Sequence, residues 1–282
     1  MYNFLLILLI LLILLILFIL LNKNNKENFI EINKKICCLY AYYEKDNNYK
    51  KNFEFFLENG IYDEIDYYII VNGPCSVNIP NKKNIIIIKR ENKGYDFGAW
   101  SNGLKKRRKQ YDYYTFLNTS VKGPYLYNEC EKWYEPFMRL FNKDVKIVGT
   151  TINILNINNF FGMDLTKIYN KEKLFSHVQS MFFIIDNEYL NYLNSINFFD
   201  EDKLNKITDF NYLIVNYEIG LSQHAIKKGW NINCILEPYK NQDYRTLTND
   251  FLSDGGDLYH IGKYFGKTID PYNVIFFKTN RF

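Results

Sequence analysis

The chain is short of the residues that punctuate, staple or metallate a fold. Its 282 residues include only 6 Pro, 14 Gly, 5 Cys and 3 His. So little Pro and Gly excludes a collagen-like or Pro-rich chain, and no period of 20–50 residues recurs to suggest a solenoid. The five Cys (Cys37, Cys38, Cys75, Cys130 and Cys234) are odd in number and form no C-x-x-C pair. Neither a disulfide framework nor a zinc site is supported, and buried free thiols are expected. The three His (His177, His224 and His260) are too scattered to make a metal cluster by spacing. An excess of one charge is missing too. The formal net charge is +4, and the run Lys105-Lys106-Arg107-Arg108-Lys109 alone carries more than that excess. No nucleic-acid partner is expected. The run reads either as a nuclear signal or, more simply, as the solvated end of a helix, where cations complement the macrodipole. Ala41, Ala99 and Ala225 are the only alanines. With abundant Asn, Ile, Lys, Tyr and Phe, this fits AT-rich codon usage and discounts the Asn/Lys-rich stretches as signals.

What is present is apolar. The chain is 48% hydrophobic and 18% aromatic, too much for disorder and enough for a sizeable core. Residues 4–21 are an unbroken run of Leu, Ile and Phe. As a helix they would span roughly 27 Å, close to the ~30 Å hydrocarbon core. A basic n-region and a small-residue cleavage site are absent from the run, so it reads as an uncleaved single-pass anchor. Lys23, Lys26, Lys34 and Lys35 follow it. They favour a cytoplasmic domain by the positive-inside rule, but lysine is inflated throughout, and the side of the membrane stays open. Residues 22–34 read as a polar stalk.

Beyond the stalk, strand-like runs at 36–43, 67–71, 85–88, 113–117, 145–148, 181–185 and 232–236 alternate with helical stretches at 49–59, 98–109, 129–141, 187–193 and 211–228. Continuous apolar strands with helices between them predict an α/β fold with a mostly parallel sheet flanked by helices. Such sheets bind ligands beyond the carboxyl ends of their strands, so the polar residues there are the candidates. After the third strand comes Arg90-Glu91-Asn92-Lys93-Gly94-Tyr95-Asp96-Phe97-Gly98-Ala99-Trp100. It fits a glycine-containing helix start that holds an anion, or a capped loop with Asp96 as N-cap. After the fourth comes Asn118-Thr119-Ser120, either a site edge or a strand-ending turn. Glu218, in the last long helix, suits a general base or a dipole-complementing surface residue. His177 and His260 read first as hydrogen-bonded structural residues, with His260, in a Gly-rich loop, the stronger site candidate of the two.

Taken in order, these segments resemble the glycosyltransferases of the GT-A fold, and most nearly the rhamnan-synthesis F-like group and related family 2 capsule-type enzymes. Asn92-Lys93-Gly94-Tyr95-Asp96-Phe97-Gly98-Ala99 is similar to that group's N-x-G-x-D-x-G-A signature. Asn118-Thr119-Ser120 falls where those enzymes carry their D-x-D metal motif. Tyr217-Glu218-Ile219-Gly220, followed by Gly229-Trp230-Asn231-Ile232, resembles their E-D…G-[YW]-x-I segment.

The resemblance implies a GT-A, Rossmann-like domain over 35–282, behind the anchor at 4–21. It implies a membrane-anchored enzyme that moves a hexosyl group from a nucleotide-diphosphate sugar to a glycan or lipid-linked acceptor hydroxyl, with inversion. The implied donor contacts are Arg90, Asn92, Gly94, Asp96, Asn118 and Ser120. Glu218 would be the catalytic base, and His177 and Gln179 would shape the sugar or acceptor pocket. One departure stands out, since the D-x-D position holds no carboxylate. Mn²⁺ or Mg²⁺ prefers carboxylate oxygens, so metal dependence is in question, with His260 as the remaining ligand candidate. Without a metal, the diphosphate would need cations, and Arg90, Lys122, Arg245 and Lys263 are the candidates by sequence. The alternative is a catalytically inactive sugar-nucleotide-binding or scaffold protein of the same fold. A sugar-phosphate nucleotidyltransferase is disfavoured, because Ala41-Tyr42-Tyr43-Glu44-Lys45 stands where its Gly-rich loop would follow the first strand.

Overall fold

The apolar runs fold into a seven-stranded sheet in the computed structural model, which describes residues 34–172, 174–248 and 257–281. The expected anchor at 4–21, and the expected stalk up to residue 33, lie outside these residues. Among the described residues no helix is long and apolar enough to cross a membrane. Lys35–Phe282 forms one compact unit.

In chain order the strands are β1 (Ile36–Tyr42), β2 (Asp66–Asn72), β3 (Ile85–Arg90), β4 (Tyr113–Asn118), β5 (Val121–Lys122), β6 (Val145–Gly149) and β7 (Ile152–Leu155). They continue as β8 (Asn159–Phe160), β9 (Met163–Asp164), β10 (Phe175–Val178), β11 (Phe182–Asp186), β12 (Asn231–Cys234) and β13 (Phe277–Lys278). The main sheet runs β12-β6-β11-β4-β1-β2-β3. Four of its six pairings are parallel, and only β11 runs against its neighbours β4 and β6. The mostly parallel sheet flanked by helices is as expected.

β1 shows why both faces must be covered, since all seven of its residues are buried. Successive side chains point to opposite faces. Tyr40 and Tyr42 meet Phe53 and Phe56 of the helix Asn47–Asn59, with ring centroids 4.2–4.9 Å apart. That helix begins at Asp46, whose carboxylate accepts from the N–H groups of Asn48 and Tyr49. Leu39 points the other way, to the helix Tyr95–Lys105, where Gly103 leaves room for it and for Ile70. On the same helix Trp100 packs edge-on against Phe116 and Phe183, and its indole N–H donates to the Leu117 carbonyl.

Several sequence expectations need correction. The helix expected over 129–141 is only Glu135–Met138, preceded by turns. The expected helix 98–109 starts earlier and stops at Lys105, so the rest of the basic run follows its end. The antiparallel pair β7–β10, which carries His177, was not anticipated, because strands of four residues leave little periodicity to read. Of the thiols, Cys37, Cys38 and Cys234 are buried and free as expected, but Cys130 is exposed and Cys75 half-buried.

Candidate functional site

The chain segments that leave β1, β3 and β4 converge at their carboxyl ends on a cavity of about 550 Å³. Its wall takes Tyr43 and Lys45 from the β1 exit, Asn92 and Asp96 from the β3 exit, and Asn118 and Ser120 from the β4 exit. Ser180 and Glu218 complete one side, and Lys278 and Arg281 another. Five sequence candidates (Asn92, Asp96, Asn118, Ser120 and Glu218) thus meet in one place.

The β3 exit is held by Arg90. Its guanidinium donates to Asn72 Oδ1 at 3.0 Å, the Lys93 carbonyl at 2.9 Å and Asn205 Oδ1 at 2.6 Å. Gly94 then sits at φ +68°, and a Cβ there would lie 2.5 Å from the Leu204 carbonyl oxygen. Gly98 is closed in the same way by the Lys93 carbonyl and the Asn205 side chain. Gly94 therefore admits the 204–205 backbone and Gly98 the Asn205 side chain, and Arg90 and Gly94 do not line the cavity. They position Asn92 and Asp96, which do.

Asp96 is not the N-cap expected from the sequence. Gly94 takes that place, and Asp96 lies in the first helical turn with its carboxylate turned inward. There it accepts from the Asn118 side-chain amide at 2.7 Å. The Asn118 oxygen in turn accepts from the Ser120 N–H at 2.9 Å and the Ser120 hydroxyl at 2.6 Å. Burial pushes Asp96 up to about 6, the charge of Glu218 adds to this, and the Asn118 hydrogen bond opposes it.

Glu218 comes from a helical stretch that changes pitch. Phe210–Leu213 is α-helical, Ile214–Ile219 is a π-helix, and Gly220–Lys227 is α-helical again. π-turns concentrate at functional sites. Here the wide turn keeps Val215 and Ile219 in a buried apolar cluster while Ile214 and Glu218 face the cavity. Ser180 donates its hydroxyl proton to Glu218 Oε2 at 2.7 Å.

The last wall was not legible in the sequence. β13 pairs antiparallel with β5, and the N–H of Thr279 donates to the Ser120 carbonyl at 3.0 Å. This lays residues 277–281 along the β4 exit. Asp257 anchors them, accepting from Lys278 Nζ at 3.2 Å and Arg281 Nε at 2.8 Å on one oxygen. Its other oxygen accepts from Gln179 Nε2 at 2.9 Å and the Tyr259 N–H at 3.2 Å. Burial alone would raise the Asp257 pKa, but Lys278, Arg281 and Gln179 outweigh it and hold the carboxyl well below its ordinary range.

The other candidates lie elsewhere. His177 is buried, its Nδ1 is 3.2 Å from the Phe175 carbonyl oxygen, and burial lowers the imidazole pKa. Gln179 is buried between Thr151 and Asp257. Neither lines the cavity; Gln179 reaches its wall through Asp257, and His177 feels the charge of Glu218. His260 is exposed and also off the cavity wall. Of the four cations picked from the sequence, Arg90 clamps its own loop and Lys122 lies over the Phe55 ring. Arg245 pairs with Asp243 and Asp144, and Lys263 is exposed away from the wall.

A divalent cation held in the D-x-D manner does not fit these residues. The Asn118 oxygen is neutral and already accepts twice from Ser120. Among the described residues no group of three or more His, Cys, Asp or Glu side chains is placed to hold a metal.

Comparison with known proteins gives the family. No curated protein matches the chain. Among solved structures it is similar to a mannosyltransferase from Pyrobaculum calidifontis in complex with GDP-Man and Mn²⁺, at 9% identity and a TM-score of 0.42, covering 70% of this chain and 53% of that one. The chain thus spans about half the length of that enzyme. It is also similar to the catalytic domain of Drosophila β1,4-galactosyltransferase 7, at 9% identity and a TM-score of 0.37, covering 78% and 73% of the two chains. A 4-diphosphocytidyl-2C-methyl-D-erythritol synthase from Anaerococcus prevotii matches at 10% identity and a TM-score of 0.37, covering 76% and 91%. Likenesses this distant do not bear on donor or acceptor. The model of the rhamnan synthesis protein F family, by contrast, matches residues 81–259, more than half of the chain and every candidate on the β3 exit, the β4 exit and the π-turn. The chain belongs to the rhamnan synthesis protein F family, the group of glycosyltransferases whose signature its 92–99 segment resembles.

Proposed function

We propose that this protein is a GT-A-type glycosyltransferase that moves a hexosyl group from a nucleotide-diphosphate sugar to a hydroxyl of a glycan or lipid-linked acceptor, with inversion. The observation that carries this reading is the cavity at the strand carboxyl ends. It brings a carboxylate base, Glu218, together with Asn92, Asp96, Asn118 and Ser120 from two separate strand exits.

In the proposed reaction the acceptor oxygen attacks the anomeric carbon from the face opposite the diphosphate. The bond from that carbon to the diphosphate oxygen breaks, and its electron pair leaves with the nucleoside diphosphate. Glu218 takes the acceptor proton, and the Ser180 hydrogen bond fixes which carboxylate oxygen remains for this task. Asn92 and Asp96 contact the nucleoside or the donor sugar, and Asn118 and Ser120 lie under the diphosphate. Residues 4–21 anchor the chain in a membrane by a single span, and 22–34 serve as the stalk.

The test is Glu218→Gln. Transfer should fall by roughly 10²–10⁴-fold, the contribution of a general base, while donor affinity stays as it was. Undiminished transfer by the variant removes the base assignment. A second reading, an inactive sugar-nucleotide-binding protein, is favoured by the missing carboxylates at 118 and 120. Donor binding by the wild type without turnover of any acceptor would establish it.

A further inference from the structure

The diphosphate of a bound donor carries negative charge that grows as the sugar leaves, and something must stabilise it. The position that would supply a metal in related enzymes is filled by a closed amide–hydroxyl pair, Asn118 with Ser120. We propose that the charge is met instead by three side-chain cations, Lys45, Lys278 and Arg281, so that this enzyme binds its nucleoside diphosphate without a divalent metal. The proposal rests on the donor-site reading above and names how that site holds phosphate.

Four observations carry it. All three cations line the same cavity as Asn118 and Ser120. The strap that bears two of them is bonded to the β4 exit itself, through Thr279 N–H to the Ser120 carbonyl and through β13 to β5. The strap that carries Lys278 therefore runs beside the β4 exit that bears the motif position. Asp257 is a largely buried carboxylate with four donors, and it fixes Lys278 and Arg281 before any ligand arrives. A pre-organised cation costs less to recruit than one drawn from solvent. Finally, Arg281 meets Asp257 through Nε, not through the two outer nitrogens, whose fork suits phosphate oxygens. Asn52 supports the strap from below, donating to the Thr119 carbonyl at 2.9 Å and to Thr279 Oγ1 at 2.8 Å.

Titration calorimetry on the full chain tests this. The probes are UDP, GDP, ADP, CDP and dTDP, each in EDTA and in MnCl₂, with the matching nucleosides as phosphate-free controls. One diphosphate should bind, with an affinity in EDTA within about twofold of that in Mn²⁺. Lys278→Met with Arg281→Met should weaken it by roughly 30-fold or more, as expected for two charged hydrogen-bonding groups, while weak nucleoside binding is unaltered. Arg281→Met alone, at a half-exposed side chain, gives a folded variant with a smaller loss in the same direction, and Arg281→Lys recovers part of it. Diphosphate binding that requires Mn²⁺, or that is untouched by the double variant, overturns the cation clamp and leaves the donor site standing. A folded wild-type chain that binds no diphosphate in either buffer overturns the donor-site reading and the clamp with it.

Discussion

The two ends of the central sheet differ in where their charges point. At the amino ends of the parallel strands, charged groups answer one another. Lys146, at the start of β6, pairs with Asp186 at 2.9 Å and Glu188 at 2.6 Å. Asp66, at the start of β2, takes Lys109 and the Tyr111 hydroxyl. Arg245 joins Asp243 to Asp144, just ahead of β6, and Asp112 receives the Lys35 N–H ahead of β1. At the carboxyl ends, Lys45, Asp96, Glu218, Lys278 and Arg281 face a cavity, Lys278 and Arg281 while also paired with Asp257. Charges that neutralise each other stabilise the chain itself. Charges turned to a shared cavity are available to a ligand, and the Asp96 pKa of about 6 is one cost of holding them there.

The contrast is sharpest if an amino-end pair is broken. Lys146→Met should strand Asp186, a largely buried carboxylate, and cost about 3–5 kcal/mol in chemical denaturation, with nucleoside-diphosphate affinity unchanged. A change in affinity without loss of stability would erase the distinction between the two ends.

The next effect is a pH dependence that belongs to the carboxyl end. Asp96 titrates near 6 when folded, above its ordinary 3.8, so the unfolded chain ionises first. Its contribution is therefore fully present below the unfolded value and is lost as pH rises through this window. Relative to Asp96→Asn, the wild type should lose at most about 3 kcal/mol between these two pH values. Melting curves of both proteins across the window check this, and parallel curves would contradict it. Asp257 has the opposite sign. Its depressed pKa makes its contribution present above the unfolded value and lost as pH falls toward the folded one.

Asn118→Asp is a smaller and more pointed change. If the site is built for a neutral amide, a second carboxylate beside Asp96 should destabilise the fold by about 1–3 kcal/mol at pH 8, and by less at pH 5, where one of the two is protonated. A gain of Mn²⁺-dependent stability in this variant would instead show that the D-x-D geometry is intact. The smallest effect belongs to an exposed pair at the amino end. Lys109→Ala, which removes a half-exposed partner of Asp66, should cost less than about 1 kcal/mol.

What the sequence revealed follows the same division. The sheet was legible because strands buried on both faces, such as β1, read as unbroken apolar runs. Asn92, Asp96, Asn118, Ser120 and Glu218 were legible as candidates because they lie just beyond strand ends or in a helix near them, and it was the order in which their motifs resemble those of GT-A enzymes that singled them out. Lys45, Lys278 and Arg281 were not legible. Lysine and arginine number 35 in this chain; the pairing of β13 with β5 is what brings Lys278 and Arg281 to the cavity, and Lys45 reaches it from the β1 exit. Gly94 is a related case: close backbone approach was expected there, and the neighbour that makes it is Leu204, a tertiary contact that local spacing does not disclose.

The central claim is that the carboxyl-end cavity is a sugar-nucleotide site. The most direct measurement is the thermal shift of the full chain against a panel of sugar nucleotides differing in base and sugar. One nucleotide class should raise the stability by about 2.7 kcal/mol at 100 times its Kd, and Asp96→Asn with Asn118→Ala should abolish that shift. A folded chain that no sugar nucleotide stabilises, or one stabilised equally in the double variant, would contradict the account.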